Sequence, residues 1–129
     1  MNVVSDTNIF LAVALEEESK EWIIGLTGES SIISPEILPY EVGNALSAMI
    51  KRKQLTKTQA IKAQKVVDQI PVRLVTPNLH ESLVLAIENN IYAYDAYFLN
   101  CALTYSCPLI TLDKRMKAVA VDLGIDVLE

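Results

Sequence analysis

The stretch that most constrains this chain is its start, Asn2-Val3-Val4-Ser5-Asp6-Thr7-Asn8, followed by Ile9-Phe10-Leu11-Ala12-Val13-Ala14-Leu15. Two β-branched apolar residues lead straight into a carboxylate, and a helix-length apolar run follows. A dense apolar strand is one covered on both faces, the habit of parallel sheets. A strand feeding a helix in an open α/β sheet puts its last residues at the carboxyl edge, where such folds meet ligands. Asp6 therefore stands where a ligand, metal or substrate is met. Its plain structural explanation is different: Asp6 or Asn8 caps the following helix by accepting from its orphan amides.

At 129 residues the chain is long enough for a real core, and its simplest organisation is one domain over residues 1–129. Apolar residues make up 51% of it, which argues against disorder. There is no apolar run of membrane-spanning length and no basic n-region of a secretory signal, so the expected location is cytoplasmic, without a membrane partner. Cys101 and Cys107 fit no metal-ligand spacing and read as buried, reduced thiols. A single histidine, His80, excludes a multi-histidine metal site and leaves little room for a Ser-His-Asp triad. The net charge of −5 is the wrong sign for holding nucleic acid by general electrostatics. A nucleic-acid role then needs local basic residues or bound cations that reverse the sign.

The remaining chain alternates helical and extended patterns. A short helix is expected through Trp22, Ile23 and Leu26, then a strand over Ser30–Ser34 stopped by Pro35. A helix follows from about Leu38 to Arg52, with a stripe at Val42, Ala45, Leu46, Met49 and Ile50. Glu41 lies in its first turn, where a carboxylate also suits the helix dipole. Lys51-Arg52-Lys53 closes that helix, and Thr56 caps another to about Gln69, giving a helical hairpin with a basic tip. Dipole compensation and solubility explain that tip; a substrate-contacting patch is the functional alternative. Pro71–Thr76 reads as a strand. Asn78 opens a helix to about Glu88, with Leu83 and Ile87 on its core side. The next helix, from about Ala93 to Tyr105, is apolar over much of its surface, so Asp95 in its first turn is costly without a partner. It caps the amides or it faces a cation. Leu109-Ile110-Thr111-Leu112-Asp113 repeats the opening theme of an apolar strand ending in acid. A helix runs from there to about Leu123, and Ile125–Leu128 is a last short strand.

Four carboxylates stand out by position. Asp6 and Asp113 each end a strand; Glu41 and Asp95 each start a helix. In a parallel α/β sheet, strand carboxyl ends and the helix starts after them lie on one edge. Acids gathered there repel one another and raise their own pKa values. Mg²⁺ or Mn²⁺, hard cations that prefer oxygen ligands, resolve the repulsion. Such an ion lowers the pKa of a bound water, orients a phosphate and neutralises charge on a leaving oxygen. It would also answer the difficulty of the negative net charge.

The motifs Asp6-Thr7-Asn8, Glu41-Val42-Gly43-Asn44, Tyr94-Asp95-Ala96 and Thr111-Leu112-Asp113, in this order, resemble the PIN-domain nucleases, and most closely the VapC toxins of toxin–antitoxin pairs. The resemblance covers essentially the whole chain. It implies a three-layer α/β/α sandwich around a central parallel sheet and a metal-dependent endoribonuclease acting on RNA. It implies that Asp6, Glu41, Asp95 and Asp113 form the metal site and do the catalysis, with Asn8 and Thr111 orienting the acids. It also implies a homodimer and a cognate antitoxin lying over the active-site groove. Lys114 and Arg115, which follow Asp113, are candidate phosphate contacts, with helix-surface charge as their plainer explanation. A phosphorelay receiver domain shares the length and the acids, but it requires an acidic pair after the first strand and a phospho-acceptor aspartate after a middle strand. Neither is present. The other alternative is a PIN-like module that binds RNA or protein without cutting.

Overall fold

The computed structural model describes residues 1–129. Its centre is a parallel sheet of β1 (Asn2–Ser5), β2 (Ser31–Pro35), β3 (Arg73–Val75) and β4 (Leu109–Ile110) in the order β3-β2-β1-β4. Seven helices surround it: α1 (Thr7–Ala14), α2 (Lys20–Thr27), α3 (Leu38–Lys51), α4 (Lys57–Asp68), α5 (Leu79–Asn89), α6 (Ala93–Tyr105) and α7 (Lys114–Asp122). The chain moves outward from β1 through β2 to β3, then returns to the other side of β1 with β4. Val4 pairs with Ile33 on one side and with Leu109 on the other. That reversal is the switch point at which open α/β sheets form their crevice, and it lies between β1 and β4.

Side chains alternate across a strand, and the core divides accordingly. Val4, Ile33 and Leu109 belong to a cluster of 19 buried residues with Leu38, Val42, Phe98 and Leu99. Val3 and Ile110 join Ile9, Ala12 and Ile23 in a second cluster of five. Both sheet faces are thus covered by helices, the expected α/β/α layering. Leu38, Val42 and Leu46 recur one turn apart on α3 and are all buried, whereas Ile50 of the expected stripe is 38% exposed. Thr56 and Gln59 form a reciprocal capping box that fixes the start of α4. Ala96 and Phe98 to Ala102 of α6 are buried, so this helix is apolar nearly all round, and it packs against β1, β2 and α5. Burial pushes the Cys101 thiol up to about 12, leaving it protonated, while Cys107 is half-buried; both are free thiols. No helix is long and apolar enough to cross a membrane.

The structure corrects several expectations. The last strand, over Ile125–Leu128, reduces to a single bridge from Val127 to Leu109. β4 ends at Ile110 instead of running on to Asp113, because the following amides are taken by side chains. Leu112 N donates to Asn8 Oδ1 and Asp113 N to Thr111 Oγ1, each at 3.1 Å. Leu83 and Ile87 do not face the core: they are 53% and 72% exposed, while Ser82 and Ala86 are buried. α5 is apolar on more than one face, and the side it buries carries its smaller residues. Ser82 Oγ donates to Asn78 O at 2.7 Å, which satisfies the hydroxyl on the inside.

Candidate functional site

Asp6 follows β1 and caps α1, so it sits at the switch point itself. Thr7 N donates to Asp6 Oδ1 at 2.8 Å, as a capping bond does. Asp6 Oδ2 accepts from Thr111 Oγ1 at 2.7 Å and from Asn8 Nδ2 at 3.3 Å. Asn8 Nδ2 also lies 3.3 Å from Thr111 Oγ1. With Asn8 Oδ1 held by Leu112 N, the ends of β1 and β4 are tied together by side chains. Asn8 and Thr111, picked out in the sequence as residues that orient an acid, therefore do touch Asp6.

The other acids arrive on separate elements. Glu41 is in the first turn of α3 and Asp95 in the first turn of α6, and neither helix start has a side-chain cap bond. The capping role open to Asp95 is thus not the one it takes. Asp113 does cap α7, with Oδ1 accepting from Met116 N at 3.0 Å. Glu41 Oε1 is buried with no hydrogen-bond partner. An unpartnered buried carboxylate oxygen is costly and calls for an explanation. The hydroxyls of Ser5 and Thr7, on either side of Asp6 in the chain, are buried and unpartnered too. Both lie in the opening stretch singled out in the sequence, but no role was drawn from them there.

The four acids feel one another. Burial lifts the Asp6 carboxyl to about 6, against the bonds from Thr111 and Thr7 that pull it down, and the charges of Asp95 and Asp113 lift it further. Burial, then Asp6, then Asp95 raise Glu41 to about 7. Asp95 is raised by burial and by Asp113. Each acid thus enters the field of at least two others, and all four converge on one edge of the sheet. They do not form a closed cage: no three His, Cys, Asp or Glu side chains are grouped to hold an ion by themselves. Mg²⁺ does not require such a cage, since it keeps several waters and takes one or two carboxylates.

Of the candidate phosphate contacts, Arg115 is already engaged. Its Nη2 donates to Asn89 O at 2.9 Å and to Asn90 O at 3.3 Å, closing the C-terminal end of α5. Lys114 is exposed. A surface groove of about 700 Å³ is lined by Ile37, Pro39, Tyr40, Leu74, Leu79 and Tyr97 among others. Tyr40 precedes Glu41 in the chain.

An α/β/α fold with acids near its switch point is the setting, and the sequence assigns the chain to a family. It belongs to the PIN-domain family, which matches residues 3–122. PIN domains are generally nucleases, and they typically use Mg²⁺ or Mn²⁺. No curated protein sequence matches the chain. Among solved structures it is similar to PAE2754 from Pyrobaculum aerophilum, with a TM-score of 0.69 and 25% identity over 92% of this chain and 79% of that one. It is also similar in fold to VapBC2 from Rickettsia felis, solved bound to a DNA fragment from their promoter, with a TM-score of 0.68 and 13% identity over 100% of both chains.

A pH dependence follows from the raised acids. Unfolded, Asp and Glu titrate near ~3.9 and ~4.3. Folded, Asp6 and Glu41 hold their protons up to about 6 and about 7, so the native state binds more protons across that window. Stability from these groups is full below about pH 4 and is lost as the pH rises through about 7. In EDTA, Glu41→Gln should gain stability relative to the unsubstituted chain over that interval, as read by thermal melts at stepped pH. A constant difference between the two would contradict the burial of Glu41.

Proposed function

We propose that this chain is a Mg²⁺- or Mn²⁺-dependent endoribonuclease, the toxin of a VapBC-type toxin–antitoxin pair, acting in the cytoplasm. The observation that carries the reading is the buried, unpartnered Oε1 of Glu41 among carboxyls that cling to their protons. Such a site is short of positive charge. Its donors are all oxygens, as hard divalent cations prefer. Asp6, Glu41, Asp95 and Asp113 would hold the ion and perform the catalysis.

The roles of the residues follow from their bonds. Asp6 uses three of about four acceptor positions on Thr7, Asn8 and Thr111, leaving one directed elsewhere. Asp113 spends Oδ1 on its helix and leaves Oδ2 without a hydrogen bond. Thr111 and Asn8 fix the Asp6 carboxylate so that it does not rotate away. When bound, the cation supplies a water of lowered pKa and neutralises charge on the phosphate being cut. The chain's part is to orient these acids and, once they are deprotonated, to offer a place for that water and for the scissile phosphate.

The toxin role rests on the motif resemblance, supported by the fold shared with the VapBC2 complex. A homodimer and an antitoxin partner are supported by apolar surface left open. Tyr40 and Leu79, which line one groove, are 75% and 63% exposed, and Ile87 of α5 is 72% exposed.

Purified protein should cut single-stranded RNA in Mg²⁺ or Mn²⁺ and stop on addition of EDTA. Asp6→Asn and Asp95→Asn should abolish cutting, and Asp95→Asn should keep or raise the melting temperature because it relieves repulsion. Thr111→Val should slow cutting by about 10–100-fold. Expression in a bacterial host should arrest growth, and Asp6→Asn should remove the arrest. Metal-independent activity that survives Asp6→Asn would overturn the assignment. For the dimer, sedimentation should give about twice the 14.3 kDa chain mass, and Ile87→Glu should shift it to the monomer.

A further inference from the structure

The hairpin of α3 and α4 carries a charge pattern that the acid cluster does not use. Between Glu41 and Asp68 there is no acidic residue, yet the segment holds Lys51, Arg52, Lys53, Lys57, Lys62 and Lys65. Everything else in the chain has five basic side chains against sixteen acidic ones. All six basic residues are exposed, and none is ion-paired: the two salt bridges of the chain are Lys20–Glu16 and Lys117–Glu129.

Helix dipoles account for only part of this. Lys51 lies in the last turn of α3 and Lys65 in the last turn of α4, where positive charge is favoured. Lys57 is the first residue of α4, where it is disfavoured. Lys62 and Lys65 are three apart on the face opposite the buried Ala60, Ala63 and Val67, so they repel each other. A concentration of unpaired positive charge on one hairpin of an otherwise acidic chain has the sign and density that attract a polyanion. The path to the acids is direct, because α3 holds Glu41 in its first turn and Arg52 as its C-cap. Eleven residues at 100° each bring the two within about 20° around the axis and about 16 Å apart along it. Between them on that face lie Ala45 and Ala48, with no bulky or charged side chain.

We propose that the α3–α4 hairpin is a second binding site on the nuclease, one that grips the phosphate backbone of single-stranded RNA beside the cleavage point. The site rests on the ribonuclease reading for the substrate it serves. At roughly 3.4 Å per phosphate along a stacked strand, the span from Glu41 to Arg52 is about four or five nucleotides. A long RNA reaches both places; a four-nucleotide RNA at the acids does not.

The test uses the full chain with Lys57→Gln, Lys62→Gln and Lys65→Gln combined, all three at exposed positions outside the acid cluster. Binding of a 20-nucleotide single-stranded RNA is followed by fluorescence anisotropy in EDTA over a salt series. Cleavage of that RNA and of a four-nucleotide RNA is followed in Mn²⁺. The proposal expects binding weakened at least tenfold and a log–log salt slope shallower by about two, from ~0.7 per lost phosphate contact. It also expects a raised KM for the long RNA, unchanged cutting of the short one, and recovery with Lys→Arg at the same positions. Equal affinity and slope in variant and unsubstituted chain overturn it, while continued cutting of the short RNA leaves the nuclease reading standing. Loss of binding to polyglutamate but not to RNA also overturns it, and assigns the hairpin to an acidic protein. Loss of RNA binding in a chain that cuts no RNA at all supports the hairpin site and sinks the nuclease reading.

Discussion

The Asp6 carboxylate is the point on which the site depends. It directly follows the central strand, caps the first helix through Thr7 N, and accepts the hydroxyl of Thr111 from the far side of the switch point. One side chain thereby joins three tasks that are usually divided: closing a helix, fixing the relation of β1 to β4, and presenting charge at the crevice. Burial would otherwise drive such a carboxyl to its neutral form, and the donors from Thr111 and Thr7 hold it partway back. Asn8 completes the tie by taking Leu112 N, which ends β4 two residues after it begins.

The acids around Asp6 are placed by the most rigid parts of the molecule. Glu41 stands on the helix whose Leu38 and Val42 anchor the main core, and Asp95 on the helix buried nearly all round. Charge is costly at these positions, and the cost is not offset within the chain, as the lone Oε1 of Glu41 shows. The scaffold is over-determined here, so that repelling groups stay in place.

Much of this was legible in the residues. Val3-Val4-Ser5-Asp6 announces a buried strand ending at a sheet edge, and the parallel sheet is as that reading expects; contacts of Asn8 and Thr111 with an acid came only from the family resemblance. Ala93–Tyr105 is a helix to the residue, because small and apolar side chains leave it no exposed alternative. Other features were out of reach. Leu83 and Ile87 make a periodic stripe, but periodicity defines a face without saying what covers it, and the residues of α5 that are buried are the small Ser82 and Ala86. The length of β4 depended on which groups took the amides of Leu112 and Asp113, a competition between side chain and ladder that the Leu-Ile-Thr-Leu run does not reveal. The second role of Asp113, as a cap that spends one oxygen on α7, was hidden behind its position at a strand end.

The bond from Thr111 to Asp6 spans 105 positions of sequence. During synthesis the chain therefore cannot finish its crevice until Thr111 has been made. Contacts of such long range close late in folding, after local helices have formed. A nascent chain still short of β4 has its central strand paired on one side only, with Asp6, Glu41 and Asp95 made and Asp113 still to come.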